Sequence, residues 1–149
     1  MRVVLDTNVV VSGLLWEGAP RRLIDAAIDG KIGLYSSQVL MAELAGCLLR
    51  KKFFRRLTEQ RLSVSALVER YGLLAELVTP AIISPAIAGD PDDDAVLACA
   101  VAATADLIVS GDSDLCNLKS YQRIPIVAAA EALMRIGAAG VSPEATPPE

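Results

Sequence analysis

A chain of 149 residues with 53% hydrophobic content and few aromatics is long enough for one aliphatic core and offers no case for a second domain. Its net charge of −4 argues against a tight, nonspecific nucleic-acid binder, and its apolar runs fall well short of the roughly 20 residues a membrane span needs. There is no histidine, and Cys47, Cys99 and Cys116 show no C-x-x-C spacing, which makes a poor zinc set and leaves little ordinary acid–base chemistry except that of carboxylates.

The chain opens on Arg2-Val3-Val4-Leu5, a short apolar strand of the kind found at the centre of a parallel sheet. With no leader ahead of it, and with cysteines that read as small core residues of a reducing compartment, a cytoplasmic protein is expected. Pro20 suits the first turn of a helix over Arg21 to Asp29, which Gly30 ends. A second strand is expected over Ile32 to Tyr35, and Ser36 or Ser37 can cap a helix running to Arg50. Thr58 is read as the cap of a long amphipathic helix to Leu74, followed by a strand from Glu76 to Thr79 that stops at Pro80. Ala81 to Gly89 has no helical period and reads as loop. Asp90 and Pro91 form an N-cap and first-turn pair that opens a helix to Thr104. Asp106 to Ser110 is the next strand, Ser113 to Leu118 a helical turn, Ile124 to Val127 the last strand and Ala128 to Ile136 the closing helix. Residues 1–137 make the domain, and 138–149, with Pro143, Pro147 and Pro148, are expected to be a poorly ordered tail. Alternating strands and helices predict an α/β layer fold with a mostly parallel sheet.

Four acids stand out against this apolar frame. Asp6 follows the first strand and Asp112 closely follows Leu107-Ile108-Val109, so both lie at the carboxyl edge, where open parallel sheets bind ligands. Asp106 stands at the amino end of its strand, on the opposite edge, and is not recruited. Glu43 is the only charge between Val39 and Leu49, and Val39, Leu40, Gly46 and Cys47 lie three and four residues from it. It therefore points with the apolar stripe, the alternative being a glutamate that snorkels out from a buried helix. Asp90, Asp92 and Asp93 are explained by capping and the helix dipole, with Asp94 one residue too deep for that role. Because Ala95 to Ala103 is apolar all round, the pattern does not separate Asp93 from Asp94.

Carboxylates about 5 Å apart in an effective dielectric near 20 repel by roughly 3 kcal/mol per pair. Such a cluster must protonate, splay or bind a cation. Oxygen-only ligands select Mg²⁺ or Mn²⁺ over zinc or copper, and an acid-lined site of that kind without histidine suits phosphodiester hydrolysis. Thr7, Asn8 and Ser110 add hydroxyls and an amide near the same edge.

The runs Val3-Val4-Leu5-Asp6-Thr7-Asn8-Val9, Asp90-Pro91-Asp92-Asp93-Asp94 followed by Leu97-Ala98, and Ser110-Gly111-Asp112-Ser113-Asp114-Leu115, with Glu43 on a helix between the first two, resemble PIN domains over residues 2–136. The closest resemblance is to VapC-like toxin ribonucleases of toxin–antitoxin pairs. It implies a three-layer α/β/α sandwich and an Mg²⁺- or Mn²⁺-dependent endoribonuclease. It implies Asp6, Glu43, Asp94 and Asp112 as the catalytic, metal-binding quartet, with Asp93 and Asp114 as near neighbours of the metal. Thr7, Asn8 and Ser110 would order those carboxylates. It further implies an RNA substrate, an antitoxin protein as partner, and a homodimer, for which Trp16 and the apolar face of the Thr58 to Leu74 helix are the surfaces to consider beside an ordinary core role.

The basic run Arg50-Lys51-Lys52-Phe53-Phe54-Arg55-Arg56 carries two compatible readings. One is cations at a helix C-terminus with both phenylalanines in the core. The other is an RNA phosphate track through Arg50, Lys51, Lys52, Arg55 and Arg56, joined by Arg21 and Arg22. A haloacid-dehalogenase-like phosphatase would need an acid at the position of Asn8, and a receiver domain would need a lysine at a late strand end, where Lys119 does not lie. The rival from another class is a non-catalytic PIN-like module that binds RNA or protein.

Overall fold

The first strand, β1 (Arg2–Leu5), lies inside a six-stranded sheet, paired in parallel with β2 (Gly33–Ser36) on one side and β4 (Leu107–Val109) on the other. Beyond β2 runs β3 (Ala75–Leu77), and beyond β4 runs β6 (Ile124–Val127), both again parallel. A two-residue strand, β5 (Ser120–Tyr121), closes that edge in antiparallel register. This is a computed structural model that describes residues 1–85 and 90–140, with side chains described through Ala138. The loop expected up to Gly89 falls in part outside those residues, and so does the tail from Val141 onward.

Eight helices are found among the described residues: α1 (Thr7–Leu15), α2 (Ala19–Ile28), α3 (Gln38–Leu48), α4 (Lys51–Glu59), α5 (Val64–Leu74), α6 (Pro91–Ala102), α7 (Ser113–Leu118) and α8 (Ala129–Gly140). Alternation along the strands sends Val3, Leu5, Leu107 and Val109 into a core shared with α1, α2, α3, α5 and α8. Val4, Ile108 and Ile126 face the other way, into a core closed by Val96, Leu97, Cys99 and Ala100 of α6 and Leu115 of α7. Helices thus cover both faces, and the expected α/β/α architecture with a mostly parallel sheet is what the chain forms. No described helix is long and apolar enough to cross a membrane.

One element carried no expectation from the sequence, and two depart from theirs. The run Thr7 to Leu15 is a helix, although Val9-Val10-Val11 is β-branched and ordinarily disfavours one. It is carried by tertiary contact: a Cβ on Gly13 would come within 2.6 Å of Ile24 Cδ1 and 2.9 Å of the Pro20 carbonyl oxygen, so only glycine lets α1 approach α2 this closely. Second, the helix expected from Thr58 begins only at Val64, and Thr58 instead lies near the end of a separate helix, α4, that was not expected. Leu62 N donates to Leu57 O and Arg61 N to Thr58 O, with Arg61 at φ 54°, a Schellman ending that uses arginine where glycine is usual. Ser63, accepting from Ala66 N, caps the next helix, while Thr58 Oγ1 donates back to Phe54 O and caps nothing. Third, α8 continues through Gly137 to Gly140, past the expected end at Ile136.

The same break revises the basic run, which forms α4 itself rather than the end of a helix. Phe53 is half-buried against Trp16, ring centroids 5.9 Å apart, but Phe54 is 71% exposed and is not core. Arg56 is structural. Its Nε donates to Leu15 O at 2.8 Å, closing the last turn of α1, and its guanidinium lies 5.6 Å from the centre of the Trp16 ring. Arg56→Met keeps the stem and removes the donors, which strands a helix-end carbonyl at a cost of about 1–2 kcal/mol. A thermal melt should show a loss of roughly 4 °C. An unchanged melting temperature would return Arg56 to the pool of free surface cations.

Candidate metal centre

The chain runs from β1 to β2 to β3 on one side of the sheet, then returns to β4 on the other side of β1. Strand order therefore reverses between β1 and β4, and the crevice at their carboxyl ends is where such sheets place ligands. Asp6 immediately follows β1, and Ser110 immediately follows β4. Their pairing is built by the ladder: Asp6 N donates to Val109 O and Ser110 N to Val127 O. Both are buried, and Ser110 Oγ donates to Asp6 Oδ2 at 2.7 Å while accepting from Asp112 N at 2.9 Å. One hydroxyl thus fixes an acid after β1 and the loop that presents an acid after β4.

Three helices begin at this crevice, each with an aspartate as its N-cap residue: Asp6 for α1, Asp90 for α6 and Asp112 for α7. Asp90 Oδ1 accepts from Asp92 N and Asp93 N, and Asp112 Oδ1 accepts from Asp114 N and Leu115 N. Capping therefore occupies one oxygen of each carboxylate and leaves the other for a further partner. Ligand atoms of Asp90, Asp93 and Asp112 all lie within 4.8 Å of one another. Asp93 is 6% exposed, and its Oδ2 is buried with no hydrogen-bond partner.

Glu43 joins from α3. It is half-buried beside the Thr7 hydroxyl, which favours its charged form, and leaves Oε2 buried without a partner. The acids visibly resist sharing this space. Burial, then the hydrogen-bonded Asp90 carboxyl and the charges of Asp112 and Asp6, push Asp93 up to about 7. Burial first, then Asp92 and Asp6, push Glu43 to about 7 as well. Asp6 is raised mainly by burial, against the lowering hydrogen bonds from Ser110 and Thr7. Helix N-termini offset only about 0.3–1 kcal/mol per acid, against roughly 3 kcal/mol for each close carboxylate pair. Repulsion wins, so the cluster holds protons or a cation. The converging carboxylates of Asp90, Asp93 and Asp112, with an orphaned buried oxygen on Asp93, fit a hard divalent cation with oxygen ligands, while Glu43, with its own orphaned Oε2, lies outside that group of three.

The geometry brings Asp93 rather than Asp94 into this group. Asp94, one residue along α6, is partly exposed and lies outside the set of converging ligand atoms. Asp114 is exposed in the first turn of α7, and Asn8 is exposed with no hydrogen bond to the acids among the described residues. Asp106 is at the far edge, with Oδ2 accepting from Arg2 N at 2.7 Å. Asp90 is the residue that sequence reasoning passed over, because capping accounted for it completely. The signal was present in the expected cap at the functional edge, since a capping carboxylate has a second oxygen.

A cavity of about 590 Å³ between α1, α2 and α5, lined by Leu14, Ile24 and Tyr71, contains none of these acids. The family model described as PIN domain matches residues 2–114 of the chain. No curated protein and no solved structure matches it.

Proposed function

The chain belongs to the PIN-domain family, whose members are generally nucleases, and from that premise we propose that it is an Mg²⁺- or Mn²⁺-dependent endoribonuclease acting in the cytoplasm as the toxin of a toxin–antitoxin pair. The observation that carries the nuclease reading is the convergence of Asp90, Asp93 and Asp112, of which Asp93 has a buried, unpartnered oxygen. Asp90, Asp93 and Asp112 would hold the cation, with Asp6 and Glu43 beside them. A bound divalent ion supplies a lowered pKa for an attacking water and charge neutralisation at the scissile phosphate.

The protein's own groups do the rest. Ser110 keeps Asp6 and the Asp112 loop in register, so that the carboxylates face one point without reorganising. Glu43 Oε2, buried without a partner, would accept a proton from the incoming water as the phosphorus–oxygen bond forms, while the ester bond breaks and the leaving oxygen takes a proton from solvent.

The choice of RNA, the antitoxin partner and a homodimer rest on the resemblance to toxin ribonucleases. Matched RNA and DNA strands incubated with Mn²⁺ test the substrate: cleavage of RNA alone supports the reading, and preferential cleavage of DNA contradicts it. Growth arrest on expression of the wild-type chain, relieved by Asp6→Asn, is the expected behaviour of a toxin.

A further inference from the structure

Six of the 14 lysines and arginines of the chain lie between Arg50 and Arg61: Arg50, Lys51, Lys52, Arg55, Arg56 and Arg61. A single acid, Glu59, shares that stretch, in a chain whose net charge is −4. With Arg56 engaged by α1, five cations remain at an exposed surface. Among them stands Phe54, 71% exposed, and beside it Leu49, 72% exposed. A groove of about 330 Å³ between the end of α3, α4 and the start of α5 is lined by Leu48, Arg50, Phe54, Leu57 and Arg61. An aromatic ring held in water among cations gains nothing for the fold, because its apolar face is not removed from solvent.

This surface adjoins the acidic crevice. Glu43 and Cys47 lie one turn apart on α3, a rise of about 6 Å, and Arg50, whose N donates to Cys47 O, is the extended residue that starts α4 just past the end of that helix. The Cys47 thiol sits between the two fields, raised by Glu43 and Asp92 and lowered by Arg50 and Lys52, after a larger effect of burial. Positive charge therefore begins where the cluster of acids ends. Lys52 stays near the Phe53 ring at 5.0 Å, and Arg55 pairs with Glu59 at 2.8 Å in an exposed geometry that holds weakly against a competing anion.

We propose that this face of α4, with Arg50 and Arg61, is a docking platform for an unpaired stretch of the RNA strand, with a base stacked on Phe54 and its flanking phosphates neutralised by Arg50, Lys51, Lys52, Arg55 and Arg61; the assignment of that strand as the one entering the acidic crevice rests on the nuclease reading above. Charge complementarity selects a polyanion. A flat aromatic ring interleaved with the cations selects one whose bases are free to stack, which a duplex does not offer.

Binding in EDTA separates the platform from the chemistry, since nothing in the assay is cleaved. Fluorescence anisotropy with a labelled single-stranded RNA should show Phe54→Ala weakening binding by about tenfold or more, with Phe54→Tyr within about twofold of wild type. The triple variant Arg50→Gln, Lys51→Gln, Lys52→Gln should lower the slope of log affinity against log salt by about 2. An RNA duplex should bind more weakly and ignore Phe54→Ala. Phe54 is exposed, so the single variants keep the wild-type melting curve. Single-strand affinity indifferent to Phe54→Ala, or a salt slope unchanged in the triple variant, overturns the platform whatever the nuclease assay shows. Tighter binding of polyglutamate than of RNA, lost in the triple variant, overturns it in favour of an acidic protein partner. Phe54-dependent binding by a protein that fails to cleave RNA upholds the platform and removes the nuclease.

Discussion

Asp93→Asn should reduce metal-dependent RNA cleavage by about 10³-fold or more, while Asp94→Asn should stay within about twofold of wild type. The first change removes the charge from a carboxylate that has one buried, unpartnered oxygen and that converges with Asp90 and Asp112. Loss of one carboxylate from such a set weakens the held cation and forfeits several kcal/mol of charge stabilisation at the phosphate. Asp94 lies one residue along the helix and outside the group. Stability should move the opposite way from activity: in the absence of metal, Asp93→Asn relieves burial and repulsion, and its melting temperature at pH 8 should exceed wild type by on the order of 5 °C. A single-turnover cleavage assay and a thermal melt on the same preparations check both halves. Equal loss of activity in Asp93→Asn and Asp94→Asn would refute the assignment.

Mn²⁺ should stabilise the protein strongly at pH 8 and weakly at pH 5. In the unfolded chain Asp93 and Glu43 lose their protons near their ordinary values of 3.8 and 4.5, whereas in the fold both hold them to about 7. Across that window the native state binds more protons than the unfolded one, so stability falls as pH rises. The contribution of these two acids is whole below about pH 4 and lost above about pH 7. A cation replaces the protons. At a hundredfold excess over its dissociation constant it adds about 2.7 kcal/mol, or on the order of 8 °C, at pH 8. At pH 5 it must displace protons first, and the shift should shrink to a degree or two. Calorimetry at the two pH values with and without metal reads this directly. Equal shifts at both would mean that the cation binds somewhere other than these acids.

Much of this site was legible because strand ends carry position. Asp6 and Asp112 each follow an apolar run, and the carboxyl edge of a parallel sheet is a place that sequence can name. Ser110 was legible for the same reason. The choice between Asp93 and Asp94 was not, since Ala95 to Ala103 is apolar on every side and the facing of α6 is set by packing against β1, β2 and β4. Resemblance to the family chose Asp94, and the structure turns its neighbour inward. Asp90 was hidden by having one complete role already. The break between α4 and α5 was hidden because the left-handed residue is Arg61, where a glycine would have announced it. Phe54 was misplaced through that error: assigned to a helix end, it read as core, and on a helix of its own it faces water. The helix α1 was opaque because its β-branched run is overridden by contacts that Gly13 permits.

The central claim is metal-dependent RNA hydrolysis at this crevice, and cleavage of a mixed pool of structured RNA by the purified protein tests it most directly, with Mn²⁺, with EDTA, and with Asp6→Asn in parallel. Cleavage in Mn²⁺ is expected, disappearing both in EDTA and in the variant. Cleavage that persists in EDTA or survives Asp6→Asn, or well-folded wild-type protein that leaves every RNA intact in Mn²⁺, would contradict it.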